Sequence, residues 1–189
     1  MRIIMLPVQF RTVGEALTSG KVDVALTVAD ELPAGIRRKA LFTGGHVCLF
    51  DPRRARVGKV LREEDYFARE HVIVSYNGDL RGVVEDVMHK SRRVRCSVPS
   101  FGCVGAILEG TSLLATVPAL VAYQIRRARP KLATRPLPFP LAGAPMELLW
   151  PSAAEEDDAG KFLRAQVERI AMRWVGVRAR RARLPRIPA

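Results

Sequence analysis

Two stretches of this chain repeat one arrangement of apolar and polar positions. In residues 15–30, EALTSGKVDVALTVAD, and residues 107–122, ILEGTSLLATVPALVA, a helix-like run closes at a glycine, Gly20 or Gly110. A short apolar strand follows each glycine and ends at a threonine, Thr27 or Thr116. One such unit is an ordinary helix–strand step of an α/β sheet. Two of them in 189 residues predict two similar small lobes with a cleft between them, and open α/β sheets bind ligands outside the carboxyl ends of their strands.

The remaining periodicity fills in the elements. Ile3 to Leu6 read as a short buried strand stopped by Pro7, and Val13, Ala16 and Leu17 recur at helical spacing up to Gly20. Val22, Val24 and Leu26 alternate with polar or small residues as a strand. Residues 36–43 and 46–51 read as two strands joined through Gly44 and Gly45, followed by a basic loop and an acidic helix near 61–67. HVIVSY, residues 71–76, is a strand, and Asp79 stands at the N-cap of a helix over 80–89. Strands over 94–98, 113–116 and 133–138 alternate with helices over 101–109 and after Pro118. MELLW, residues 146–150, is the last apolar strand. Ser152 with Glu155 then forms a capping-box pattern at the head of a helix to Arg173, and the acidic run 155–158 suits that helix's positive end rather than a metal. The alternation of strands and helices predicts a mainly parallel sheet in each lobe. Lobe one spans 1–70 and 144–173, lobe two spans 71–143, and an Arg/Pro-rich tail, expected to be disordered, spans 174–189.

Composition narrows the class. The chain is 48% hydrophobic and 26% charged, an ordinary globular balance. No apolar run approaches the roughly 20 residues of a membrane span, and the first residues lack the pattern of a signal peptide. Three unclustered cysteines, Cys48, Cys96 and Cys103, point to a reducing cytoplasm and no disulfide framework. The net charge is +12; no acidic residue follows Glu168, and half of the excess comes from Arg173, Arg178, Arg180, Arg181, Arg183 and Arg186. That tail is a solvated charge run or a weak, salt-sensitive nucleic-acid contact.

The order of elements, with the motifs GKVDVALTV, HVIVSYNGD, EGTSLLATVP and PMELLWP, resembles the effector-binding domain of LysR-type transcriptional regulators over residues 2–173. The resemblance implies an α/β, two-lobed periplasmic-binding-protein-like (type 2) fold with an inter-lobe cleft. It also implies a small-molecule inducer in that cleft and a homodimer built from antiparallel, side-by-side domains. The family's N-terminal winged helix-turn-helix and linker helix have no counterpart here, and the match begins at the second strand of lobe one. The chain therefore reads as a fragment or a late start, with lobe one truncated. DNA is expected as a partner only through the missing helix-turn-helix, and no membrane partner is expected.

The cleft hypothesis nominates strand ends and helix N-termini as effector-binding residues: Thr27 and Val28, Ser75, Tyr76 and Asn77, Ser100 and Phe101, Thr116 and Val117. Hydroxyls and unpaired helix N–H groups suit a carboxylate, and Tyr76 and Phe101 could flank an aromatic acid. The plainer role for each Ser or Thr is a cap or turn. The histidines, His46, His71 and His89, sit at no recognisable catalytic or metal spacing, so no catalytic residue, metal ligand or cofactor is expected. Cys103, near a helix N-terminus and seven residues past Cys96, admits an oxidant-sensing reading beside that of an inert thiol. The sequence reading is thus a cytoplasmic ligand-sensing domain and not an enzyme. The alternatives are a carrier protein of similar fold and a dimerisation fragment without ligand binding.

Overall fold

In the computed structural model, which describes residues 2–181 with side chains through Arg173, the chain divides into two units. The first is Met1–Thr43 with Ala144–Ala189, and the second is Gly44–Gly143.

The first unit opens with α1 (Val13–Thr18), β1 (Ala25–Thr27) and β2 (Ile36–Thr43). The second contains β3 (His46–Phe50), α2 (Pro52–Ala55), α3 (Glu63–Ala68), β4 (Glu70–Val74), α4 (Val83–Met88) and β5 (Arg93–Val98). It continues through α5 (Phe101–Leu108), β6 (Leu114–Pro118), α6 (Ala119–Ala128) and β7 (Ala133–Pro136). The chain then returns to the first unit as β8 (Pro145–Pro151), a 3-10 turn at Ser152–Ala154 and α7 (Asp158–Arg181).

In the first unit three strands lie in the order β1-β8-β2, and both pairings are antiparallel. This corrects the expectation of a mainly parallel sheet in each lobe: β1 and β2 follow one another without a helix between them, and β8, returning from the second unit, inserts between them and runs the other way. The apolar run of MELLW suits its place, because β8 is the central strand and Leu148 and Leu149 are fully buried. Val13 and Leu17 of α1 pack against Leu149 and Ala29. Gly20, at φ +69°, supplies the left-handed residue that closes the α1 turn. Ile3 to Leu6 form no strand; all four side chains are exposed, Met5 at 91%. An apolar run becomes a strand only where a neighbour accepts its backbone hydrogen bonds, and none does here among the described residues.

The second unit holds a mixed sheet in the order β5-β4-β6-β3-β7. β4 pairs in parallel with β5 and β6, while β3 runs antiparallel to β6 and β7. The sequence reading keeps residues 1–70 together. The structure instead turns into the second unit at Gly44, because β3 takes its hydrogen bonds from β6 and β7 rather than from β2. One core lies on each side of this sheet. Leu49, Val72, Val104, Leu108 and Val117 pack against α5 and α6 on one side. Phe50, Tyr66, Val84, Leu114 and Phe139 form the other.

Three helix starts differ from expectation. Pro52–Ala55 is helical where a loop is expected, capped by the Asp51 side chain on the Arg53 N–H at 3.0 Å. α4 begins at Val83, and Glu85 reaches back to the Gly82 N–H at 2.9 Å; Asp79 instead accepts from the Asn77 amide. α7 starts after the 3-10 turn, with Asp157 accepting the Gly160 N–H, while Glu155 receives the Trp150 indole N–H at 2.9 Å. α7 continues past Arg173 to Arg181, and the remainder of the Arg/Pro-rich tail lies outside the described residues.

Candidate functional site

At one end of the second unit's sheet, β4 and β6 reach their carboxyl ends and β3 begins, with His46 opposite Pro118 across the β3–β6 ladder. A pocket of about 80 Å³ opens there, lined by His46, Ile73, Val74, Gly82, Val83, Arg92, Phe101, Thr116 and Pro118. Six of these nine residues are apolar or glycine, and the polar side chains, His46, Arg92 and Thr116, come from three separate segments of the chain.

Thr116 is held by the phenol of Tyr66, 2.6 Å from its hydroxyl. Tyr66 is fully buried against Phe67, His71 and Phe139, and burial pushes its phenol up to about 12, against the opposing pull of Arg92. The phenol therefore stays protonated and serves as a fixed hydrogen-bonding group. Behind the pocket Arg92 and Glu85 form a buried pair, with only 3% of either side chain exposed. Arg92 donates from Nε at 2.7 Å and from Nη2 at 2.6 Å, and its own backbone N–H adds a third bond at 3.2 Å. Burial works to raise the Glu85 carboxyl, but the Arg92 hydrogen bonds and charge outweigh it and hold it below its ordinary value. The pair leaves the pocket lined by a guanidinium whose charge is already balanced.

His46 has a buried Nδ1 with no hydrogen-bond partner among the described residues. Burial lowers its pKa, opposed by a hydrogen bond to the Leu141 backbone. The ring is therefore neutral at pH 7 and keeps a buried polar atom without a partner, a costly arrangement unless a ligand or water completes it. His71 shows the same orphaned Nδ1 deeper in the core, with Nε2 donating to the Tyr66 carbonyl at 2.9 Å.

The nominated residues separate on this geometry. Phe101 and Thr116 line the pocket. Val117 is 1% exposed and packs in the core beneath it, so its side chain has no face free for a ligand. Ser75 donates to the Asn77 side chain at 2.9 Å, and Asn77 in turn donates to Asp79, a chain of local turn bonds beside an exposed Tyr76. Ser100 precedes α5 without capping it, its hydroxyl 3.5 Å from the Cys103 sulfur. Thr27 and Val28 belong to the first unit, where Thr27 bonds the Val28 carbonyl at 3.1 Å. His46, Ile73, Val74, Gly82, Val83, Arg92 and Pro118 lie outside the nominated set, and their convergence depends on strand pairings far apart in the chain. The one local sign was His46 at a strand start.

The LysR substrate binding domain matches residues 4–170. The chain belongs to that family. This LysR substrate-binding domain is 34% identical over 155 residues to the HTH-type transcriptional activator NagR of a Ralstonia species, covering 79% of the chain and 50% of the relative. It is 31% identical over 153 residues to the activator NahR of Pseudomonas putida, covering 79% and 51%. The domain thus spans about half the length of the curated relatives it matches. Among solved structures it superposes on the regulatory domain of MexT, a transcriptional activator in Pseudomonas aeruginosa, with a TM-score of 0.71 and 31% identity over 82% of this chain and 76% of that one. CbnR, a LysR family transcriptional regulator, shares the fold at a TM-score of 0.62, with 15% identity over 87% of this chain and 57% of that one. The fold is therefore that of the periplasmic-binding-protein-like LysR regulatory domains. Among the described residues no helix is long and apolar enough to cross a membrane.

Proposed function

We propose that this LysR substrate-binding domain is the ligand-sensing half of a transcriptional regulator and takes a small inducer at the pocket bounded by His46, Phe101 and Thr116. The carrying observation is that His46, whose buried Nδ1 has no partner among the described residues, lines a pocket at the carboxyl ends of β4 and β6. Strand ends of open α/β sheets are where ligands bind, and a few polar groups in an apolar pocket set orientation. The Thr116 hydroxyl and the His46 ring supply the polar contacts, and Phe101 supplies a flat apolar wall suited to an aromatic acid. Ser75, Tyr76, Asn77 and Ser100 are secondary candidates at the same end of the sheet. Thr27 and Val28 are candidates in the first unit.

In the full regulator, which acts in the cytoplasm as a homodimer, binding biases one arrangement of the protein over another; a ligand shifts that equilibrium only by its differential affinity for the two. DNA recognition belongs to a helix-turn-helix outside these residues. Thermal denaturation of the chain against a panel of small carboxylates, aromatic acids and neutral aromatics tests the reading. A saturable rise in Tm for one chemical class, reduced by Thr116→Val, supports it. A folded protein that shifts with no compound favours a pairing module without a ligand.

A further inference from the structure

The opposite end of the second unit's sheet has a different chemistry. There β3 leaves the sheet while β4, β5, β6 and β7 enter it, as the parallel and antiparallel registers require. The segment that follows β3, residues 52–60, reads PRRARVGKV, and its Arg54, Arg56 and Lys59 are exposed. Arg56 holds a left-handed backbone at φ 49°, a position that favours glycine or asparagine. The chain therefore keeps a long cation where a small residue is the easier choice.

Three further arginines are fixed at this end by backbone carbonyls. Arg69 donates to the carbonyl of Ala55, Arg126 to that of Leu132 at 2.9 Å, and Arg135 to that of Gly58 at 3.0 Å. A carbonyl holds a guanidinium in place without cancelling its charge, and most of its five N–H donors remain for an anion. The nearby acids are largely committed elsewhere: Asp51 to Arg53, Asp65 to Arg62, Glu63 to Lys90 and Glu109 to Arg129. Glu64 and Glu70 add the remaining negative charge at this end and form no ion pair among the described residues.

We infer that this end of the second unit is a binding surface for the phosphate backbone of duplex nucleic acid. Arginines held in fixed positions with spare donors suit phosphate oxygens, and contacts of this kind position a duplex without reading its sequence. The segment 52–60 contains no aromatic residue on which an unpaired base could stack. An acidic protein partner would call for apolar anchors as well, and in this segment only Val60 is a large exposed apolar side chain.

The test is fluorescence anisotropy of the full chain with a labelled duplex of arbitrary sequence, from low to physiological salt. The expected result is binding whose affinity falls steeply with salt, by a log–log slope of about −0.9 for each phosphate contacted. Arg54→Glu/Lys59→Glu weakens it at least tenfold and flattens that slope, with an unchanged circular dichroism spectrum. Arg11→Glu/Lys21→Glu, the same change of net charge in the first unit, leaves it within twofold. The proposal is overturned if both reversals weaken binding equally, which is a net-charge effect. It is also overturned if Arg180→Gln/Arg181→Gln/Arg183→Gln/Arg186→Gln abolishes binding while Arg54→Glu/Lys59→Glu does not. Absence of binding at low salt, or competition by polyglutamate as effective as that by unlabelled duplex, contradicts it too.

Discussion

The Glu85 carboxylate accepts four hydrogen bonds, from the Gly82 N–H that opens α4 and from the backbone, Nε and Nη2 of Arg92. A single buried side chain therefore caps a helix, fixes the start of β5 and neutralises a pocket-lining guanidinium. Replacing Arg92 by Leu leaves that carboxylate buried and uncompensated. The expected loss is about 3 kcal/mol or more, in the range for breaking a buried pair from one side. Urea denaturation followed by circular dichroism checks it, and Glu85→Gln is expected to cost at least as much as Arg92→Leu, because it strands a buried guanidinium that cannot shed its charge, whereas a stranded carboxylate can take up a proton.

Burial lowers the His71 pKa from 6.5 to about 4. Between those values the unfolded chain takes up a proton that the folded chain refuses. Stability is therefore fully present above pH 6.5 and falls as the pH drops toward 4, by up to about 3 kcal/mol from this group. His46, also lowered, adds to the loss in the same direction. Denaturation midpoints measured from pH 8 to pH 4 show this slope. His71→Leu is expected to flatten it even if the variant is less stable throughout, since it gives up the bond to the Tyr66 carbonyl.

Tyr66→Phe removes the partner of the Thr116 hydroxyl while preserving the ring that packs on His71 and Phe139. The expected cost is about 1–2 kcal/mol, the price of one buried hydrogen bond with its partner left behind. Urea denaturation measures it, and ligand affinity is expected to fall with it because the threonine loses its fixed orientation.

Gly143 lies against the backbone of Gly44, where the chain enters and leaves the second unit. A Cβ added at Gly143 would stand 1.6 Å from the Gly44 carbonyl oxygen, and no side-chain rotation relieves that contact. Gly143→Ala is expected to destabilise by about 3 kcal/mol or more through forced backbone movement. Gly45→Ala, with open space around it, is the matched control.

Cys48 is buried in β3 and its thiol is pushed up to about 12 by burial. In the native protein at pH 8 a thiol reagent is expected to spare Cys48 and to label it only after denaturation. Cys96 and Cys103 are only partly buried and provide the internal comparison. Mass spectrometry of labelled peptides reports all three together.

The elements that sequence reveals here are those whose reason is local. The unbroken apolar run of MELLW suits a central strand, and Gly20 marks the end of α1. The strand expected at Ile3 to Leu6 fails because pairing depends on a neighbour that hydrophobicity cannot supply. The first turn into the second unit is hidden for a similar reason. Residues 36–50 look like a hairpin through Gly44 and Gly45, and only the hydrogen bonds from β3 to β6 and β7 divide them. The pocket is legible in part: Thr116 and Phe101 stand at a strand end and a helix start, positions the αβ pattern marks. Tyr66 meets Thr116 across a separation of 50 residues, and Arg92 reaches the pocket only because Glu85 holds it there. Contacts of that kind have no trace in local periodicity.

The central claim rests on the orphaned nitrogen of His46, and ¹⁵N NMR of the histidine side chains tests it most directly. The chain is titrated with the panel compound that raises Tm most. The expected result is a saturable change at His46 Nδ1, with His71 Nδ1, buried away from the pocket, unmoved. Binding that leaves His46 Nδ1 unchanged at saturation would contradict the assignment of this pocket as the inducer site.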